Sequence, residues 1–143
     1  MSGVFISYSH EDREFLHQLK RHFSALKGKV EFWDDSMIYA GMKWQEEIEK
    51  ALKNARVAIL LVSADFFNST YIMEEELPYL LQAQSCGTAI LSVIIKPCLF
   101  DFYPQISKFQ AVNSPSKTVI QMSEAEKEIL WTQLILRINE LLK

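Results

Sequence analysis

The sequence contains little glycine, and this scarcity excludes two common kinds of nucleotide site. Only four glycines occur in 143 residues. Neither the dinucleotide-binding pattern GxGxxG nor the phosphate-binding loop GxxxxGK[ST] can therefore be written anywhere in the chain. A nucleotide bound by this protein would have to be held by something other than a glycine-rich loop.

Cysteine is also rare, and the few sulfur and imidazole groups are not arranged to bind a metal. Cys86 and Cys98 lack CxxC spacing, so we interpret both as reduced and structural. The histidines are His10, His17 and His22, and none has cysteine or carboxylate neighbours at metal-ligand spacing. We therefore predict no metal site.

The chain also lacks concentrated positive charge and long apolar runs. A net charge of −3 with dispersed basic residues does not provide the positive surface that nucleic acid binding requires. The longest apolar runs, such as residues 57–62, are far shorter than the roughly 20 residues of a membrane-spanning helix. We predict no signal peptide, because no basic region, long apolar stretch and small-residue cleavage site open the sequence. We predict a cytoplasmic protein that binds no nucleic acid and does not insert into a membrane.

Short β-rich runs alternate with stretches of helical period, which is the pattern of parallel βαβ units. The five predicted strands are residues 4–8, 30–33, 57–62, 89–95 and, as a short edge strand, 118–120. Because crossovers between parallel strands are right-handed, this order predicts a flavodoxin-like, doubly wound sheet of five parallel strands flanked by helices. We expect residues 1–143 to form a single domain, with an amino-terminal module of a longer protein as the alternative.

The helices between these strands have recognisable ends. Ser9 can cap the first helix, and Gly28 can end that helix in a left-handed conformation. Trp44 begins the buried stripe of the second helix. Ser123 and Glu126 form a capping box that opens the last helix.

Ligands of doubly wound sheets bind beyond the carboxyl ends of the strands. Ser7, Tyr8, Ser9 and His10 end the first strand, where backbone amides at a helix start can meet phosphate oxygens. Asp34 follows the second strand. A phosphoacceptor receiver domain shares this architecture, but it is excluded because no acidic pair ends the first strand.

Five segments of the chain resemble, in order, a TIR (Toll/interleukin-1 receptor) domain. They are Val4-Phe5-Ile6-Ser7-Tyr8-Ser9-His10-Glu11-Asp12, Trp33-Asp34 with Gly41 seven residues after the aspartate, Leu60-Leu61-Val62-Ser63 before Phe66-Phe67, Val93-Ile94-Ile95-Lys96-Pro97-Cys98, and Phe109-Gln110-Ala111-Val112-Asn113. The last two are similar to the bacterial branch of the family. The resemblance spans the whole chain and implies the fold already predicted.

The resemblance implies two alternative functions. Some TIR domains are adaptors that act only through contacts with other TIR domains. Others cleave NAD⁺ at the nicotinamide N-glycosidic bond, by hydrolysis or cyclisation, and need no cofactor besides that substrate. We expect an NAD⁺ glycohydrolase that is activated by self-assembly and acts in bacterial antiviral defence. The non-catalytic adaptor is the alternative, and a nucleoside transferase of related fold is a third hypothesis.

The catalytic glutamate of the family falls in a segment where Glu74, Glu75 and Glu76 are adjacent. We predict a third helix after these glutamates, with Leu77, Leu80, Leu81 and Gln84 as its inward stripe. An α-helical wheel then directs Glu75 away from the core and places the other two glutamates at its edges. The resemblance assigns the catalytic role to Glu76, because Glu76-Leu77 matches the usual ending of the motif. A glutamate triplet at a helix start is also favourable simply because of the helix dipole.

The resemblance implies further residues that contact the substrate. The family often has tryptophan four residues before the catalytic glutamate, and here that position is Ile72 with Tyr71 one step earlier. Tyr71 and Trp44 are the candidates for stacking on the nicotinamide, although Trp44 is also suited to the core. Asp34 and Gly41 bracket the loop that in this family gates the cleft or contacts neighbouring domains. The predicted substrate-binding residues are Ser7, Tyr8, Ser9, His10, Asp34, Gly41, Trp44 and Tyr71.

Overall fold

A computed structural model describes residues 3–37 and 41–143, and the sheet in this part of the chain has four parallel strands. The strands are β1 (Gly3–Ser7), β2 (Glu31–Trp33), β3 (Ala55–Val62) and β4 (Ala89–Ile94). Their order across the sheet is β2-β1-β3-β4, and each neighbouring pair is parallel. The strand order reverses between β1 and β3, so a crevice opens beyond their carboxyl ends.

Helices cover both faces of this sheet. The α-helices are α1 (Arg13–Arg21), α2 (Trp44–Lys53), α3 (Ala64–Asn68), α4 (Leu77–Ser85), α5 (Pro104–Ser107) and α6 (Glu124–Leu141). A π-helical turn, Tyr71–Glu76, directly precedes α4, and short 3₁₀ turns lie at His10–Asp12, His22–Leu26, Asp35–Met37, Phe100–Phe102 and Val119–Gln121. None of the helices described combines the length and the apolar character required to cross a membrane.

The helix ends follow the predicted local chemistry. Ser9 caps the 3₁₀ turn that leads into α1, and its hydroxyl accepts from the Glu11 amide at 3.3 Å. Gly28 has a φ of 82°, the left-handed conformation expected where the first helical segment ends. The Ser123–Glu126 capping box is present, with reciprocal bonds of 3.0 and 3.1 Å. These three predictions are confirmed.

The core lies on both faces of the central strand β3. Val57, Ile59 and Leu61 pack in a cluster with side chains of α1 and α6. The alternate residues Ala58, Leu60 and Val62 pack in a second cluster with side chains of α2 and α4. Because successive side chains of a strand point to opposite faces, a continuous apolar run is what a strand buried on both sides requires.

The predicted fifth strand at residues 118–120 is wrong. Thr118 instead caps a 3₁₀ turn, and its amide and hydroxyl both donate to Gln121 Oε1 at 2.8 Å. The edge of β4 is covered by an earlier segment that forms a single bridge, Ser92 to Ala111. Beside it, the Asn113 side chain bonds the Ile94 amide and carbonyl at 2.9 Å each. One amide side chain thus satisfies backbone groups that a fifth strand would otherwise pair.

Candidate functional site

A cleft of about 740 Å³ opens beyond the carboxyl end of β1. Its walls come from the turn after β1, the turn after β2, the start of α2 and the segment that enters the π-turn. The lining residues are Tyr8, Ser9, His10, Glu11, Asp35, Trp44, Ser69, Thr70, Tyr71, Ile72 and Glu75. This volume is typical of small-molecule sites, which span roughly 300–1,000 Å³. Its position at the strand ends is where ligands of doubly wound sheets bind.

The cleft brings together a large part of the predicted site but not all of it. Five of the predicted residues line it, namely Tyr8, Ser9, His10, Trp44 and Tyr71. The lining does not include the other four, Ser7, Asp34, Gly41 and Glu76. The first group surrounds the open space, while Ser7, Asp34 and Glu76 are buried behind it.

The π-turn determines how residues 71–76 face the cleft. The Leu77 amide donates to the Ile72 carbonyl, five residues earlier, whereas an α-helix would bond four residues apart. The turn is therefore wider than an α-turn, and residues five positions apart lie closer to the same side than they would in an α-helix. Tyr71 and Glu76 thus lie toward the same side of this turn.

The three glutamates of this turn have different environments. Glu74 is exposed, Glu75 is half-buried and lines the cleft, and Glu76 is only 2% exposed. The α-helical wheel placed Glu74 and Glu76 at the edges of the core and directed Glu75 away from it, and it was wrong, since Glu74 is exposed, Glu75 is half-buried and Glu76 is buried. The reason is that it assumed 3.6 residues per turn, and this segment is π-helical.

The carboxyl group of Glu76 is held against the end of β1. Ser7 Oγ donates to Glu76 Oε1 at 2.6 Å, with both groups buried. Burial raises the pKa of Glu76 to about 8, because the hydrogen bond from Ser7 only partly offsets it and the negative charges of Asp35 and Asp34 add to it. The protonated form of this carboxyl group therefore predominates at neutral pH.

Two aromatic rings form one wall of the cleft. Trp44 and Tyr71 meet edge to face, with ring centroids 5.5 Å apart. Burial raises the pKa of Tyr71 above its ordinary value, and the negative charges of Glu76 and Asp35 raise it further. Tyr71 is thus a neutral phenol at physiological pH and can both stack and donate a hydrogen bond.

The two aspartates that follow β2 face different environments. Asp34 is fully buried, lies 2.7 Å from Lys20 Nζ and accepts from the Ser36 amide at 2.9 Å. Burial opposes ionisation of Asp34, but the bonds from Lys20 and Ser36 outweigh it and hold its pKa below the ordinary value. Asp34 therefore fixes the turn, and its neighbour Asp35 reaches the cleft.

Asp35 is a lining residue that the sequence did not single out. Its Oδ2 lies 2.7 Å from His10 Nε2, and its Oδ1 is buried with no hydrogen-bond partner in the described ranges. The signal that could have identified Asp35 is that it directly follows Asp34, one residue further past the end of β2.

Only the ends of the predicted loop over residues 34–41 are described, because residues 38–40 lie outside the described part of the chain. Gly41, at the far end, is exposed and has a φ of 92°. An added side chain would meet no atom there, so the glycine is required by its backbone conformation.

An ion pair between a buried aspartate and a partly exposed lysine was also not predicted. Asp12 is fully buried, accepts a hydrogen bond from Ser63 and lies 2.7 Å from Lys96 Nζ. The hydrogen bond to Asp12 raises the pKa of Lys96. These contacts connect the turn after β1 to the carboxyl ends of β3 and β4.

The lining suits a ligand with hydroxyl groups and a cationic aromatic ring. It offers hydroxyls, three carboxylates and three large aromatic rings, and it includes no lysine or arginine. Aromatic faces and carboxylates both attract a cationic ring. Across residues 3–37 and 41–143, no group of three His, Cys, Asp or Glu side chains could hold a metal ion.

Comparisons with curated proteins find relatives that are longer than this chain. It is 32% identical over 133 residues to the uncharacterised protein y4lF of Sinorhizobium fredii, covering 91% of this chain and 41% of that protein. It is 28% identical over 120 residues to the NAD(+) hydrolase PdTIR of Paracoccus denitrificans, covering 81% and 40%. Over 73 residues it is 32% identical to the "probable 2′ cyclic ADP-D-ribose synthase TcpO" of Methanobrevibacter olleyae, covering 48% and 20%. The chain spans less than half the length of each relative.

Structural and family comparisons agree on the fold. The TIR domain of the Toll-related receptor TRR-2 from Hydra magnipapillata matches with a TM-score of 0.61 at 18% identity, covering 95% of this chain and 97% of that one. A family model described as "TIR domain" matches residues 4–130, which is most of the sequence. The chain therefore belongs to the TIR domain family.

Proposed function

We propose that this TIR domain cleaves NAD⁺ at the nicotinamide N-glycosidic bond, with Glu76 as the catalytic carboxylate. The observation that carries the proposal is the position of Glu76. Its side chain is bonded to Ser7 at the end of β1, toward the same side of the π-turn as the cleft residue Tyr71. The names of two relatives, an NAD(+) hydrolase and a cyclic ADP-ribose synthase, support the same chemistry.

The chemistry of this bond suits a site built around one carboxylate. The nicotinamide of NAD⁺ is already a cationic leaving group, so it departs neutral and leaves an oxocarbenium-like ribose. A carboxylate facing that ribose stabilises the developing positive charge, as in glycosidases. The edge-to-face rings of Trp44 and Tyr71 would hold the nicotinamide, and the water or ribose hydroxyl that attacks next decides between hydrolysis and cyclisation.

The burial of Glu76 suggests how the activity is controlled. A neutral carboxyl group behind the cleft wall cannot stabilise a cation, so the active form requires Glu76 to turn toward the ribose and ionise. We propose that self-assembly with other TIR domains favours this form. In that case the domain would produce nicotinamide only when clustered, as a signal or effector in bacterial antiviral defence.

The same burial also favours the second candidate function, a non-catalytic TIR adaptor. If Glu76 remains bonded to Ser7 in every state of the protein, the cleft has no carboxylate in the catalytic position. An adaptor would act through TIR–TIR contacts alone. This hypothesis predicts no NAD⁺ turnover, even when the protein is clustered.

An NAD⁺ consumption assay on purified protein, dilute and then artificially clustered, tests the proposal. Products are separated by chromatography, and Glu76→Gln is compared with Glu74→Gln, the same change at an exposed neighbour. We expect Glu76→Gln to reduce nicotinamide release by about 100-fold or more, and Glu74→Gln to match the unmodified protein. A wild-type rate in Glu76→Gln would disprove the catalytic assignment, and no turnover in any sample would favour the adaptor.

A further inference from the structure

His10 and Asp35 form a hydrogen-bonded pair inside the cleft. The His10 Nε2 and Asp35 Oδ2 atoms are 2.7 Å apart, and the side chains are 60% and 11% exposed. Both residues line the cleft. The pair thus joins the turn after β1 to the turn after β2 and leaves most of the imidazole open to solvent and substrate.

We infer that the His10–Asp35 pair is the general base of this site, which takes the proton from the nucleophile that attacks the ribose C1′ after nicotinamide has left. The nucleophile is water in hydrolysis or a ribose hydroxyl in cyclisation. This inference rests on the proposed NAD⁺ cleavage and adds to it the group that completes the reaction.

The geometry gives each member of the pair a defined role. If Nε2–H donates to Asp35, the other ring nitrogen, Nδ1, is the free acceptor, because a neutral imidazole has one donor and one acceptor nitrogen. A mostly buried carboxylate that orients an imidazole in this way is the arrangement used by serine hydrolases. Asp35 Oδ1 has no hydrogen-bond partner in the described parts of the chain, so the carboxylate is free to stabilise the imidazolium that forms.

The other acidic groups near the cleft are less suited to this role. Asp34 is occupied by Lys20 and Ser36. Glu76 is buried and is required by the proposal to face the oxocarbenium ion. Glu75 and Glu11 line the cleft and are the direct competitors, so both are included in the test.

The step is balanced without any further reactant. The C1′–N bond breaks, and its electron pair leaves with nicotinamide, which becomes neutral. An oxygen lone pair of water then forms the C1′–O bond while the water proton moves to His10 Nδ1. The exposed imidazolium returns this proton to solvent, so the products are ADP-ribose, nicotinamide and H⁺.

The partition between two nucleophiles tests the inference. Water must lose a proton when it attacks, whereas 3-acetylpyridine has none to lose and needs no base. The clustered protein is therefore given NAD⁺ together with 3-acetylpyridine. Three quantities are measured, namely the nicotinamide released, the sum of ADP-ribose and cyclic product, and the exchange product in which 3-acetylpyridine replaces nicotinamide. His10→Gln and Asp35→Asn should shift the ratio of exchange to hydrolysis and cyclisation by at least about tenfold toward exchange, while nicotinamide release remains measurable.

Three matched controls accompany these variants. His17→Gln makes the same change at an exposed histidine of α1, outside the cleft lining. Glu75→Gln and Glu11→Gln each remove one competing carboxylate. All three should keep the wild-type ratio, and circular dichroism should show that all five variants are folded.

Each other outcome has a distinct meaning. An unchanged ratio in His10→Gln overturns the inference, as does a shift in Glu75→Gln or Glu11→Gln alone. Loss of all nicotinamide release in folded His10→Gln also overturns it, because the pair would then act before bond cleavage. Failure of the proposed function looks different, since the unmodified protein itself would release no nicotinamide, and the base assignment would fall with it.

Discussion

At the scale of single residues, Glu76 is a carboxyl group whose protonation depends on folding. In the folded chain burial raises its pKa to about 8, against an ordinary value of 4.5. The stability gained by burying the neutral form is fully present below the lower value. This stability is lost as the pH rises from 4.5 toward about 8. In that range the Glu76 carboxyl group ionises in the unfolded chain but stays protonated in the folded chain.

Glu76→Gln should remove this dependence of stability on pH. Between about pH 5 and pH 8 the wild-type free energy of unfolding should fall by up to about 1.4 kcal/mol per pH unit through this one group. The amide stays neutral, so the variant should lose that share of the slope. Urea unfolding at several pH values measures it, with Glu74→Gln as the exposed control. Parallel curves for Glu76→Gln and wild type would contradict the prediction.

Residue positions in the cleft were predictable where they depend on local sequence. Tyr8, Ser9 and His10 were found because the end of a β-rich run before a helix cap can be recognised. The choice between Asp34 and Asp35 was not predictable in this way. It depends on the direction of the chain after β2, which is fixed by the contact of Asp34 with Lys20 on another element.

At the scale of secondary structure, capping is the local chemistry that the sequence predicts best. Ser123 and Glu126 form their reciprocal bonds within a single turn, so no distant residue is needed to specify them. The π-turn and the absent fifth strand are different. They depend on how residues 71–76 pack against β1 and on the Asn113 side chain bonding the edge of β4.

Ser123→Ala should destabilise the protein by about 1 kcal/mol, because the first turn of α6 loses the acceptor for the Glu126 amide. Thermal or urea unfolding measures the effect. Ser123→Asn keeps a side-chain acceptor at the cap and should retain near wild-type stability. Equal losses in the two variants would show that the cap is not the cause.

At the scale of the whole molecule, Asp12 and Lys96 connect elements that are far apart in sequence. Asp12 precedes α1, Ser63 follows β3, and Lys96 follows β4, yet their polar groups meet in one buried cluster. The alternation of strands and helices predicted the four strands of the sheet and that both faces of β3 are covered. It could not predict this cluster or the number of strands, because both arise from contacts between distant segments.

Lys96→Met should destabilise the fold by about 2–3 kcal/mol, because the buried Asp12 carboxylate loses its counter-ion. Adding Asp12→Asn in the same chain should recover part of the loss, since it removes the unpaired charge. A double-mutant cycle from urea unfolding measures the coupling. Simple additivity of the two changes would show that the pair contributes nothing as a unit.

The π-turn also sets the spacing between the aromatic ring and the carboxyl group that we propose to act together. A π-turn holds one residue more than an α-turn, so it acts as a single-residue insertion inside a helix. Tyr71 and Glu76 are five positions apart across this turn, whereas the pattern that the resemblance implies has an aromatic residue four positions before the glutamate. We therefore expect Tyr71, and not Ile72, to take the aromatic position beside Glu76.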